Sequence, residues 1–278
     1  MSKELCESIN TIDKYFDDDL NNPEEHDFRN TLNIFFTDSN CSSGEEKISS
    51  GFIALLTLLN SIENNDHLKG DQLVEYAILW LSYKLNQKKE NGTTKLSDFL
   101  TENIKKNSCY DKHIATNTNN GDKIYMDVID DKINSMDIDI KDISNFYDAF
   151  KSLCNMYSEL DPEKTQCKKC FENAGEFFEK CEKVKNAFDI NKGSSYLQLW
   201  SSLSNDYILF KQLYNVNTCA NESPFVACPR SSVTKNTIIT IAIIFVAASI
   251  LLGVSYKYSL FGFRKRSQKQ HLREMLKK

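Results

Sequence analysis

Residues 71–85 read DQLVEYAILWLSYKL. Leu73, Ala77, Trp80, Leu81 and Leu85 recur at three- and four-residue spacing, which lines them along one side of an α-helix, and the polar run QKKENGTT that follows ends it. The same spacing continues outward in both directions. Ser2 can cap a first helix carrying Leu5, Ile9, Ile12 and Phe16, and Asn22-Pro23 opens a second with Phe28, Leu32, Phe35 and Phe36. A third, over residues 45–62, sets Ile48, Phe52, Leu55, Leu59 and Ile62 on one stripe. Shorter helices are expected at 96–104 and 124–136. Downstream, 143–157 aligns Phe146, Phe150, Leu153 and Tyr157, and Pro162 begins a helix to about 188 that holds Cys170, Ala174, Phe177, Cys181 and Phe188. The last, 196–214, presents Leu199, Trp200, Leu203, Phe210 and Leu213. Nine Gly and four Pro are too few for the tight turns of an all-β domain. The expected fold class is therefore all-α.

One segment differs from the rest. Residues 237–256, TIITIAIIFVAASILLGVSY, carry no charge, and about 20 apolar residues at ~1.5 Å each span a hydrocarbon core of about 30 Å. A C-terminal transmembrane helix is expected there. The tail after it, 257–278, holds eight basic residues against Glu274, a net +7 out of a chain total of −5, so residues 1–256 carry about −12. Orientation follows Lys and Arg near a span, which puts the tail in the cytoplasm and the acidic domain outside. The expected layout is an ectodomain at 1–215, a stalk at 216–236, the transmembrane helix at 237–256 and a basic cytoplasmic tail at 257–278. Tyr256, Tyr258, Phe261 and Phe263 suit the headgroup level. Arg264, Lys265, Arg266 and Lys269 beyond them are candidates for contact with anionic lipid. An acidic domain of this balance excludes nucleic-acid binding by bulk charge.

Cysteine placement supports the same sidedness. Cys6, Cys41, Cys109, Cys154, Cys167, Cys170, Cys181, Cys219 and Cys228 all precede the span, and disulfides persist in oxidising compartments. The alternative is a set of reduced thiols, some buried as small hydrophobes. Nine is odd, so at least one is free or joined to another chain, and about 945 connectivities remain open. If the helices before and after residues 158–162 form a hairpin, Cys154 comes opposite Cys167 or Cys170, the first pairing expected. The N-terminal MSKELCESINTIDKYF has no apolar core of a cleavable signal. A lone span with a short tail also fits a tail-anchored protein with a cytosolic domain, but that topology opposes both the charge and the cysteine signals.

Chemical sites are scarce. Cys167-x-x-Cys170 is half of a zinc or redox signature without a second half or a βαβ setting, so structural disulfides explain it better. Asp17, Asp18, Asp19 and Asn21 lack the glycine and glutamate of a calcium loop. His26, His67 and His113 have no partnered nucleophile, and no phosphate-cradling loop or GxSxG elbow is present. No enzyme activity, metal or cofactor is expected. Sequons at Asn40, Asn91 and Asn221 are compatible with an ectodomain.

Several blocks, in order, carry a family likeness. EEKISSGFIALLTLL after Cys41, EYAILWLSYKLNQKKENGTTKLSDFL, ISNFYDAFKSLCNMYSEL with the following CKKC, and the tail YKYSLFGFRKRSQKQHLREMLKK together resemble the PIR (Plasmodium interspersed repeat) family of malaria parasites, rodent-parasite branch. The resemblance implies an exported variant surface antigen of infected red cells, involved in antigenic variation, immune evasion and host-cell binding. It also implies a helical cysteine-bearing ectodomain with one span and a basic tail, in chains that commonly lack an ordinary signal peptide. The RxLxE/Q/D export element is missing here. A host receptor or an antibody would then be the partner on the ectodomain side, and variable contacts would fall on residues 86–94, 107–122 and 215–229. The competing class is an intracellular membrane protein for vesicle or vacuole trafficking or host-cell remodelling.

Overall fold

The computed structural model describes residues 1–16, 33–36, 47–62, 68–88, 95–116, 123–136, 138–160, 170–171, 173–187, 193–217 and 226–227. Two compact units divide the chain, Met1–Arg230 and Ser231–Lys278. The described residues all belong to the first. Its helices are α1 (Lys3–Phe16), α2 (Lys47–Asn60), α3 (Gly70–Gln87), α4 (Leu96–Phe99), α5 (Tyr110–His113), α6 (Met126–Ser135), α7 (Ile140–Ser158), α8 (Ala174–Asn186) and α9 (Gly193–Asn217). Leu100–Ile104 extends α4 as a π-turn. Two short strands, β1 (Cys170–Phe171) and β2 (Val226–Ala227), pair in parallel.

α3 and α7 pack together at the centre. α2 and α6 cover α3, α8 and α9 cover α7, and α1 touches both α2 and α7. This explains why α3 buries more than a stripe: besides Leu73, Ala77, Trp80, Leu81 and Leu85, it also buries Val74, Ile78 and Leu79. A helix with neighbours on several sides needs apolar residues all round. At its start, Gln72 Oε1 accepts from the Lys69 backbone N–H at 3.1 Å, which satisfies one of the orphan donors of a helix N-terminus.

Two glycines allow helices to close on one another. A Cβ on Gly51 of α2 would lie 2.7 Å from Trp80 of α3 and 2.9 Å from Phe16 of α1. A Cβ on Gly70 would fall 1.8 Å from the Lys123 carbonyl oxygen, where the Asn60 side chain also accepts from the Lys123 and Ile124 N–H groups at 2.9 and 3.0 Å.

The helix expected from Pro162 to about 188 does not run unbroken through Cys170. α8 begins only at Ala174, and Cys170 lies in β1 rather than on that helix. Within the segment read as a stalk, α9 runs on to Asn217 and β2 pairs back to β1. Among the described residues no helix is long and apolar enough to cross a membrane. Residues 237–256, the expected span, and the basic residues Arg264, Lys265, Arg266 and Lys269 lie outside the described residues, as do the three sequons.

Candidate functional site

α1 is held in place by one covalent bond and two polar clusters. Cys6 on α1 is joined to Cys154 on α7, with Cα atoms 5.2 Å apart and a separation of 148 positions in sequence. This corrects the hairpin pairing expected for Cys154 with Cys167 or Cys170. That pairing required two continuous helices meeting near Pro162, whereas α8 starts a dozen residues later and the buried face of α7 bearing Cys154 is taken by α1. Cys109 is also disulfide-bonded, and Cys181 is free. Cys41, Cys167, Cys219 and Cys228 lie outside the described residues. Cys181 is buried near Tyr207, and burial pushes its thiol well above the ordinary range, with Glu182 adding to the effect.

Asp13 gathers α1, α3 and α7. Its carboxylate accepts from Trp80 Nε1 at 2.9 Å and from the Tyr147 hydroxyl at 2.8 Å, pairs with Lys151, and lies 3.8 Å from the nearly inaccessible Lys84. Lys84 also sits over the Trp80 and Tyr83 rings. A buried ammonium is tolerated only with such a counter-charge. Glu75 and Lys132 make a second buried pair, between α3 and α6, with Gln198 of α9 donating to Glu75 at 3.4 Å.

The third polar group lines a groove of about 320 Å³ between α3 and α9. Asp206 of α9 accepts from the Met1 amine at 2.9 Å and from the Tyr76 hydroxyl at 2.8 Å. Burial raises its pKa while the amine opposes the shift. Burial likewise pushes up the phenols of Tyr76, Tyr147 and Tyr157, and those of Tyr196 and Tyr207 to about 12. Each of these groups is shifted toward its neutral form, which suits packing rather than proton transfer near neutral pH.

The segment 107–122, expected to be an exposed variable loop, starts inside the core. Asn107 donates to the Ser49 and Ser50 hydroxyls at 3.0 Å and accepts from the Cys109 N–H at 2.9 Å, and Cys109 and Tyr110 are buried beside it. A polar residue in a polar run gives no periodic signal of burial, so only the packed structure reveals this bridge.

The arrangement is a helical scaffold with disulfide-bonded elements and buried ion pairs. Among solved structures, one described as "Structure of a Plasmodium PIR protein ectodomain" matches it with a TM-score of 0.57 and 32% sequence identity, covering 82% of this chain and 99% of that chain. The fold is thus that of a PIR ectodomain. A family model for the Plasmodium variant antigen protein Cir/Yir/Bir matches residues 6–257. The chain belongs to that family of variant antigens. No curated protein matches it.

Proposed function

We propose that this chain is a membrane-anchored variant surface antigen, exported by the parasite and displayed on the infected red cell, where it serves antigenic variation, immune evasion and host-cell binding. The observation that carries the reading is the family match over residues 6–257, which runs through the charge-free segment 237–256. In this reading residues 1–215 form the ectodomain, 216–236 the stalk, 237–256 the single span and 257–278 the cytoplasmic tail. A host receptor or an antibody engages the ectodomain. The tail and the EYAILWLSYKL block support the rodent-parasite branch. Protease treatment of intact infected cells tests display: loss of the ectodomain is expected. Full protection would instead favour an internal membrane protein of vesicle or vacuole traffic.

The tail has its own role in this reading. Arg264, Lys265, Arg266 and Lys269 rest on anionic lipid of the cytoplasmic leaflet, each contributing roughly 1 kcal/mol near the surface. A peptide covering residues 257–278 should bind anionic vesicles strongly and release them as salt rises. Equal, weak binding to neutral vesicles would leave the tail as a topology signal only.

A further inference from the structure

The groove between α3 and α9 ends on two carboxylates. Glu75 and Asp206 lie at its floor, each only 4% exposed, whereas Leu209 and Leu213 stand at its rim, 47 and 38% exposed. Beneath the floor the space narrows to a slot of about 10 Å³ among Leu79, Phe150 and Leu203, room for no more than a single water. A ligand entering the groove therefore stops at the carboxylates.

Three of the four carboxylate oxygens are already engaged. Asp206 Oδ1 accepts from the Met1 amine, and both Asp206 oxygens accept from the Tyr76 hydroxyl. Glu75 Oε2 accepts from Lys132 and Gln198. Among the described residues no hydrogen bond reaches Glu75 Oε1, and a buried charged oxygen is costly without a donor. Lys132 approaches Glu75 from α6 and is not part of the groove wall, so the charges among the described lining residues are two carboxylates and one amine. An anion would meet both carboxylates. A wholly apolar molecule would strand Oε1, which can only accept. The atom calls for a ligand that brings N–H groups and positive charge.

We propose that this groove binds a small organic amine, a primary ammonium on an apolar body. Its N–H groups reach Glu75 Oε1 and the Ser202 hydroxyl, where the groove meets the slot that both residues also line, and its body lies along Leu68, Leu209 and Leu213. The volume of about 320 Å³ is at the lower end for ligand pockets and holds roughly ten water-sized groups. An ammonium supplies three donors, and the charge of about −12 over residues 1–256 draws cations toward this domain. The test titrates phenethylammonium, 2-phenylethanol and phenylacetate into the full-length chain in phosphatidylcholine nanodiscs, with empty discs as the blank, and reads binding by saturation-transfer NMR. The amine should bind about tenfold or more tightly than the alcohol, and the carboxylate should not bind. Asn205→Arg, at an exposed position of the groove wall, sets a guanidinium where the ligand's charge would enter and should weaken the amine by about tenfold or more. Glu75→Gln combined with Lys132→Met leaves neither charge buried alone and should erase the preference for amine over alcohol. An unchanged melting curve identifies the variants that fold. Equal binding of amine and alcohol by the parent would reduce the groove to an apolar cleft and overturn the proposal. So would the absence of binding by any probe at millimolar concentration, or undiminished amine binding by folded Asn205→Arg.

Discussion

Removing the Asp13 carboxylate should cost more than a surface ion pair does. It takes away a carboxylate 3.8 Å from Lys84, whose side chain is 2% exposed, and deprives Trp80 Nε1 and the Tyr147 hydroxyl of their acceptor. Asp13→Ala should lose about 3–5 kcal/mol in denaturant unfolding. Loss of less than about 1 kcal/mol would mean that the cluster contributes no more than an exposed pair. Asp148 of α7 has the opposite sign. Burial raises its pKa, against the lowering effect of Lys180 and Lys183, each 3.9 Å away. A carboxyl raised on folding contributes stability that is fully present below its unfolded pKa and lost as pH rises through the folded value. Asp148→Asn should therefore melt like the parent in acid and higher than it at neutral pH, as followed by circular dichroism at both.

Among the elements, the contact of α1, α2 and α3 is the tightest to test. Gly51→Ala places a methyl group against Trp80 and Phe16, at distances no relaxed core shows, and should destabilise by about 1–3 kcal/mol. A smaller loss in chemical unfolding would mean that Trp80 can shift. The Cys6–Cys154 bond ties α1 to α7 across 148 residues. Replacing both by Ala should lower stability by about 2–5 kcal/mol, seen as a melting temperature lower by several degrees. The helices that carry these features were legible in the sequence because Ile48 to Leu59, Leu73 to Leu85 and Phe146 to Tyr157 repeat with the period of a buried face. The Cys6 partner was not, since periodicity records which side of a helix is buried and not which helix covers it. The run from Pro162 misled for a related reason: Cys170 sits four residues before Ala174, in helical phase, yet its backbone is used by β2. Asn107 and Asp206 act as buried polar bridges between elements distant in sequence, and nothing local distinguishes them from surface residues.

Among the described residues, six buried tyrosines share one response to pH. Tyr76, Tyr110, Tyr147, Tyr157, Tyr196 and Tyr207 all have phenols raised chiefly by burial. The stability this reflects is present below the ordinary phenol value of about 10 and is lost as pH rises through the higher folded values. Alkaline titration should therefore give one cooperative step in which tyrosinate absorbance and loss of helix coincide. Gradual ionisation with the helices intact would contradict it. Mass mapping of the oxidised protein should join Cys6 to Cys154 and leave Cys181 unmodified by thiol reagents until denaturant is added.

The span between those two cysteines also sets an order of events at the ribosome. Cys6 is made early, and its partner follows 148 residues later, roughly 7–30 s at ~5–20 residues per second. During that interval Cys41 and Cys109 are already present, and a disulfide oxidant of an oxidising compartment, itself reduced to its dithiol, can join Cys6 to either of them. α1 cannot reach its final place before α7 exists to receive it. The native bond must then form late or be recovered by reshuffling, so the yield of correctly linked protein should depend on an isomerase in the compartment where it is made, and fall when synthesis outpaces that activity.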